Sequence, residues 1–252
     1  MELAYGHPKS LKPIQTKYCP GCGHGVIHRL VAEVVDELGV QERSIILNPV
    51  GCAIWADLYF DFDSVQPAHG RTPAAATGIK RMLPDHLVIC YQGDGDLAAI
   101  GTAEAVHAAN RGEKFTTIFV NNAIYGMTGG QMAPTTLVGQ KATTAPYGRD
   151  PGEAGMGYPI RVCEMLATLG GTKYLARGSV DTAVNVRKTK QYIKKAFEAQ
   201  MRGEGFTMVE ILSPCPTNWQ MSPPEAAEWV GKSMIEYYPL GEIKNTLEEA
   251  KR

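Results

Sequence analysis

Short apolar runs alternate along this chain with segments of helical periodicity. Ser44–Leu47, Leu87–Tyr91, Thr116–Val120, Tyr174–Ala176 and Phe206–Leu212 predict buried strands. Between them, His24–Leu38 sets Val26, Leu30, Val34 and Leu38 on one helical face, with Gly39 as its stop. An alanine-rich helix is predicted over about Leu97–Asn110, capped by Arg111-Gly112. Further helices are predicted over Ile160–Leu169, Thr182–Met201 and, last, Leu240–Lys251. Such alternation predicts an α/β fold over residues 1–252, one domain with a mainly parallel sheet and helices on both faces.

Ligands on such sheets sit beyond the carboxyl ends of the strands. Four loops leave predicted strands there, and all carry unusual residues: Asn48–Cys52, Gly93–Asp96, Asn121-Asn122 and Ser213–Pro216. The stretch Ala123–Pro159 is dense in Gly, Pro, Thr and Met, and a loop this long inside a compact domain is usually functional.

Composition narrows the reading. The chain has 252 residues, 44% hydrophobic and 20% charged, with a net charge of −1, so no broad basic face is advertised for nucleic acid or anionic lipid. No run approaches the roughly 18–20 apolar residues of a membrane span, and the first residues lack a signal-peptide pattern. The expectation is a cytoplasmic protein. In that reducing setting, six cysteines favour metal binding or catalysis over disulfides.

Gly93-Asp94-Gly95-Asp96 lies between a strand and a helix, where glycines let the backbone approach a phosphate closely. An aspartate there would repel a bare diphosphate, so a divalent cation must lie between them, and magnesium takes hard oxygen ligands of this kind. Asn122 and the carbonyl of Ile124, after the next strand, offer further oxygens. Alone, Gly-Asp-Gly also fits an ordinary acidic turn. A dinucleotide fingerprint is not met, because position 98 is Ala98 rather than glycine.

Cys19-Pro20-Gly21-Cys22 sets two thiols in an N-terminal knuckle before a helix, which suits zinc or an iron–sulfur cluster. No second Cys-x-x-Cys exists, so further ligands must come singly, and Cys52 and Cys215 are the candidates. Cys90, inside a strand, and Cys163, inside a helix, read as core. From spacing alone, cluster, zinc site and metal-free knuckle all remain open.

With both constellations in hand, residues 15–240 resemble the β subunit of 2-oxoacid:ferredoxin oxidoreductases. The resemblance rests on Tyr-Cys-Pro-Gly-Cys-Gly-His-Gly at 18–25, Val-Gly-Cys at 50–52, His-Gly-Arg at 69–71 and Ala-Thr-Gly-Ile-Lys at 76–80. It continues with Gly-Asp-Gly-Asp at 93–96, Asn-Asn-x-Ile-Tyr-Gly-Met-Thr-Gly-Gly-Gln at 121–131 and Cys-Pro-Thr-Asn at 215–218. It implies a thiamine-diphosphate-binding fold, with Asp94, Asn122 and Ile124 on Mg2+. Gly93, Gly95, Asp96, Thr128, Cys52 and the His69-Gly70 turn become expected contacts of thiamine diphosphate. Cys19, Cys22, Cys52 and Cys215 would ligate one [4Fe–4S] cluster. The implied reaction is the oxidative decarboxylation of a 2-oxoacid with coenzyme A, giving an acyl-CoA and reduced ferredoxin.

The resemblance also implies partners. The glutamate that activates thiamine lies on another subunit in that family, and this chain shows no motif for it. An α, pyrimidine-side subunit is expected, together with a γ or a ferredoxin-like δ subunit or both, in a hetero-oligomer. The loop Ala53-Ile54-Trp55 offers no cation for a second carboxylate. That favours a branched-chain acid such as 3-methyl-2-oxobutanoate, and the sequence looks most like the branched-chain members. 2-Oxoglutarate, pyruvate and aryl-pyruvates stay open, as does a zinc-stabilised binding module from another class.

Overall fold

The computed structural model describes residues 6–153 and 155–247. Seven strands form one sheet: β1 Ser44–Leu47, β2 Asp63–Val65, β3 Leu87–Gly93, β4 Thr116–Asn121, β5 Thr172–Ser179, β6 Phe206–Leu212 and β7 Gly241–Asn245. Their spatial order is β2-β1-β3-β4-β6-β5-β7, and every pairing is parallel except the last. The helices are α1 His24–Leu38, α2 Ala56–Tyr59, α3 Thr72–Met82, α4 Thr102–Arg111, α5 Val162–Ala167, α6 Ala183–Met201, α7 Pro216–Trp219, α8 Pro223–Trp229 and α9 Ile235–Tyr237.

Alternate residues of each strand feed opposite cores. Ile89 and Tyr91 of β3 join Val209 and Ile211 of β6 beneath α1 and α6. Val88 and Cys90 join Phe119 and Met208 on the other face, against α3, α4 and α5. Cys90 and Cys163 are buried in this second core. The fully buried Arg177 on β5 is satisfied by Glu210 at 2.8 Å and by Glu164 at 2.7 Å.

Three expectations are corrected. Of the stripe expected on α1, Leu30 and Val34 are buried, but Val26 is exposed and Leu38 half-buried, while Ile27, Val31 and Val35 are also buried, so the inward face is wider and rotated from the one expected. The predicted helix Leu97–Asn110 is split into a wide π turn, Gly95–Ile100, and α4, with Gly101 at the joint. A Cβ on Gly101 would lie 2.5 Å from the Asp96 carbonyl oxygen and 2.6 Å from that of Gly70, so only glycine fits this crossing. In place of the predicted helix Leu240–Lys251, Gly241–Asn245 is strand β7, paired antiparallel to the edge of β5; 248–251 lie outside the described residues. Lys244 anchors it by donating to the carbonyls of Ala167 and Leu169 at 2.9 and 2.7 Å. Among the described residues, no helix is long and apolar enough to cross a membrane.

Candidate functional site

Parallel strands β1, β3, β4 and β6 end at one rim of the sheet, and the residues expected to carry chemistry gather there. The cavity at this rim encloses about 170 Å³ and is lined by Cys52, His69, Gly93 to Asp96, Asn122 and Thr128, together with apolar Val50, Ile100 and Met127.

At its floor Asp94 is buried and held from three sides. Its Oδ2 accepts from Thr135 Oγ1 at 2.9 Å and from the Ile124 N–H at 3.2 Å, and its Oδ1 accepts from the Gly95 N–H at 2.9 Å. Burial nevertheless pushes its carboxyl up to about 7, because these donors offset only part of the desolvation. One end of the Asn122 amide lies 3.1 Å from Asp94 Oδ2 and 2.6 Å from the Ile124 carbonyl oxygen. With nitrogen at that end it donates to both; with oxygen there, three acceptors face one another. With the amide oxygen turned in, carboxylate, amide and carbonyl oxygens make the hard-oxygen donor set that a divalent cation takes.

The turn that presents the Ile124 carbonyl is strained. Ala123 has φ 54, a left-handed value that costs a non-glycine residue roughly 1 kcal/mol. Its N–H donates to Asn121 Oδ1 at 3.1 Å, and its carbonyl accepts from Thr136 Oγ1 at 2.7 Å and Gln140 Nε2 at 3.1 Å. Asn121 is fixed in turn by Glu210, 2.7 Å away.

Three loops carrying four cysteines, Cys19 and Cys22, Cys52, and Cys215, approach one another beside this corner. The Cys19–Cys22 knuckle is a turn closed by the Cys22 N–H on the Cys19 carbonyl, 3.0 Å. Its Gly23 N–H donates to the Pro214 carbonyl at 3.4 Å, which docks the knuckle on the Cys215 loop. A Cβ on Gly126 would touch Cys52 Sγ at 3.4 Å, Asn122 Nδ2 at 3.5 Å and Cys215 Sγ at 3.6 Å, so a small cradle joins the sulfurs to the Asp94 corner. Tyr18 braces Cys52 by donating to its carbonyl at 3.0 Å. Burial pushes the Cys22 and Cys52 thiols up to about 12, and charge on the neighbouring sulfurs adds to the rise. Among the described residues, no three His, Cys, Asp or Glu side chains are close enough to hold a single ion.

Asp96 has another task. It is buried, and its carboxylate accepts from Gly70 N–H at 2.5 Å, Gln92 Nε2 at 2.7 Å and Thr72 Oγ1 at 3.1 Å, and pairs with His69 Nδ1 at 2.7 Å. The His69-Gly70 turn is thereby tied to the strand end. Thr128, at the exposed mouth, pairs with Gln131 through side chain and backbone.

Comparison with known proteins gives this rim its context. Residues 51–211 match the family model described as "Thiamine pyrophosphate enzyme, C-terminal TPP binding domain". The ketoisovalerate oxidoreductase subunit VorA of Methanothermobacter thermautotrophicus is 50% identical over 233 residues, covering 92% of this chain and 48% of that protein. The chain thus spans about half the length of the first curated relatives it matches. The 2-oxoglutarate synthase subunit KorB of Methanocaldococcus jannaschii is 40% identical over 202 residues, 79% of this chain and 69% of the relative. A solved 2-oxoglutarate:ferredoxin oxidoreductase from Magnetococcus marinus superimposes with a TM-score of 0.77 at 27% identity, covering 99% of this chain and 88% of that one. The chain belongs to the 2-oxoacid:ferredoxin oxidoreductase family and carries a thiamine pyrophosphate enzyme domain.

Within that family's frame, the expected residues Asp94, Asn122 and Ile124 converge, and Cys52 and Cys215 flank one glycine beside them. Sequence reasoning missed Thr135, which has no motif around it. It also gave no role to His24, although His24 lines the cavity, accepts or donates at 2.7 Å with Tyr91 and stacks on Tyr18. Asn218 was within a quoted motif, yet its part was not read: its Nδ2 donates to Cys215 Sγ at 3.3 Å and to the Gly126 carbonyl at 3.0 Å.

Proposed function

We propose that this chain is the thiamine-binding, electron-conducting part of a CoA-dependent 2-oxoacid oxidoreductase acting on branched-chain acids such as 3-methyl-2-oxobutanoate. The observation that carries the reading is the meeting at one rim of an oxygen corner and a sulfur corner, joined through Gly126. A thiamine decarboxylase needs the first alone, and a zinc module needs only the second.

Asp94, Asn122 and Ile124 would hold Mg2+ against the diphosphate, and Cys19, Cys22, Cys52 and Cys215 would hold a [4Fe–4S] cluster. Thiamine diphosphate, when bound, supplies the carbon nucleophile and electron sink for decarboxylation, and a cluster supplies a one-electron path to ferredoxin. This chain's own residues bind and orient. Asp94 sits where a cation restores its charge, and Asp96 fixes His69 so that its second nitrogen is left for the cavity. Among the described residues that line the cavity, Asp94 and Asp96 are the only carboxylates, and both are engaged by donors, which supports an activating glutamate on an α partner. A γ or ferredoxin-like δ subunit completes the proposed complex, and a cytoplasmic site fits a reduced sulfur set.

The test is an anaerobic absorption spectrum, with iron and sulfide analysis, on the complex co-purified with its partners. A broad band near 400 nm that bleaches on adding 2-oxoacid and coenzyme A is expected. A colourless complex without iron, prepared strictly without oxygen, sinks the electron-transfer reading.

A further inference from the structure

Among the described residues of the segment from 122 to 161 there is no helix or strand, apart from isolated bridges at Tyr125–Gln131, Val138–Arg149 and Ala142–Ala145. Loop backbone of this length must satisfy its own polar groups or lose them to water. Here one side chain does much of that work. Arg149 is buried, and its guanidinium donates only to carbonyl oxygens, six in all. Nη1 grips Ala133 at 3.3 Å, Pro134 at 3.0 Å and Thr136 at 2.6 Å; Nη2 and Nε grip Met156, Gly157 and Tyr158 at 2.8 to 2.9 Å. It makes no ion pair among the described residues.

A buried cation without a carboxylate is expensive to keep unless it organises something. What it organises is visible in the residues it brackets. Thr135 sits inside the gripped stretch, is fully buried and donates to Asp94 Oδ2 at 2.9 Å. Its carbonyl is held from the far side by the Tyr238 hydroxyl at 2.9 Å. Thr136, whose carbonyl Arg149 holds, donates to the carbonyl of strained Ala123, the residue that turns the Ile124 carbonyl toward Asn122.

We infer that Arg149 is a positioning residue for the cation corner, setting Asp94 through Thr135 and the Ile124 carbonyl through Thr136 and Ala123. The inference rests on the thiamine and Mg2+ reading of that corner. Only a guanidinium fulfils the part, since its planar fork reaches two loop stretches at once, whereas one ammonium offers three donors from a single point.

The experiment titrates Mg2+ and thiamine diphosphate into the cofactor-stripped complex, read by binding calorimetry and not by turnover. Arg149→Lys and Thr135→Val are each expected to weaken Mg2+-dependent binding tenfold or more, and Thr135→Ser to restore it. In the double variant Arg149→Lys with Thr135→Val the loss is expected to be no larger than the greater single loss, as for two residues acting in series. Losses that multiply, or an Arg149→Lys complex that melts earlier yet binds within twofold of wild type, overturn the inference. If Arg149→Lys does not yield folded complex, Thr136→Val tests the same path from its far end, and unchanged binding there overturns it. Wild-type complex that binds neither cofactor overturns instead the reading of the corner itself.

Discussion

Asp94 is a carboxylate in surroundings that disfavour its charge. Three hydrogen-bond donors reach it, yet burial leaves its carboxyl pushed up to about 7. A divalent cation reverses that balance, since an opposite charge in contact favours the ionised form. Asp94→Asn keeps the shape and removes the charge, so we expect Mg2+-dependent thiamine diphosphate affinity to fall by at least tenfold, or about 1.4 kcal/mol, in equilibrium binding. Asp96→Asn acts on the His69-Gly70 turn and should leave Mg2+ affinity nearer wild type; equal losses from both would contradict the division of labour. At this scale the sequence was legible where chemistry is contiguous: Asp94 lies between two glycines, and Asn122 and Ile124 are two residues apart. Thr135 was not legible, because a lone threonine in a loop carries no sign of which distant oxygen it will meet. Asn218 carried a partial sign, its place three residues after Cys215.

The elements that frame the rim depend on close backbone crossings. Gly70 has φ 77, and a Cβ there would lie 2.5 Å from Ile100 Cγ2 and 2.9 Å from the Gly101 N–H. Gly70→Ala is therefore expected to cost about 1–3 kcal/mol, from overpacking and a disfavoured φ together, measured by denaturant unfolding. At the end of α3, Lys80 donates to the carbonyls of Pro84 and His86 at 2.8 and 2.6 Å, and burial pushes its amine down to about 8. Its folded pKa lies below the unfolded value, so between pH 8 and 10.5 the unfolded chain binds more protons and stability rises with pH. Wild type should thus gain on Lys80→Met across that window, by about 1 kcal/mol after discounting for solvent screening; a flat difference would remove Lys80 as the cause. Helix α3 itself escaped the sequence reading because its buried side is Thr72, Pro73, Ala76 and Lys80, with no stripe of large apolar residues. Helix α8 did carry a start signal, the Ser222/Glu225 capping box, which was not read. Strand β7 is likewise poor in apolar residues, since Gly241–Asn245 is mostly polar, and its pairing partner on β5 is distant in sequence.

For the molecule as a whole, the rim decides which acid the proposed enzyme accepts. Among the described residues, no lysine or arginine lines the cavity, while Val50, Ile100 and Met127 present apolar surface there. A second carboxylate, as in 2-oxoglutarate, would lose water without gaining a cation from this chain, a cost of several kcal/mol. An isopropyl group has two more carbons than the methyl of pyruvate, worth about 0.8 kcal/mol each when buried. The order of kcat/KM expected for the complex is therefore 3-methyl-2-oxobutanoate first, pyruvate about tenfold lower by that burial, and 2-oxoglutarate lower still. The relatives point both ways, one named for ketoisovalerate at 50% identity and another for 2-oxoglutarate at 40%, so measurement has to choose. Should 2-oxoglutarate lead, the partner subunit is the expected source of the cation, because the described residues that line the cavity include none. Replacing that partner's arginines and lysines one at a time would then find a residue whose loss returns preference to the branched acid. Should pyruvate equal the branched acid, Val50, Ile100 and Met127 do not hold the substrate's side chain, and the apolar rim serves another contact.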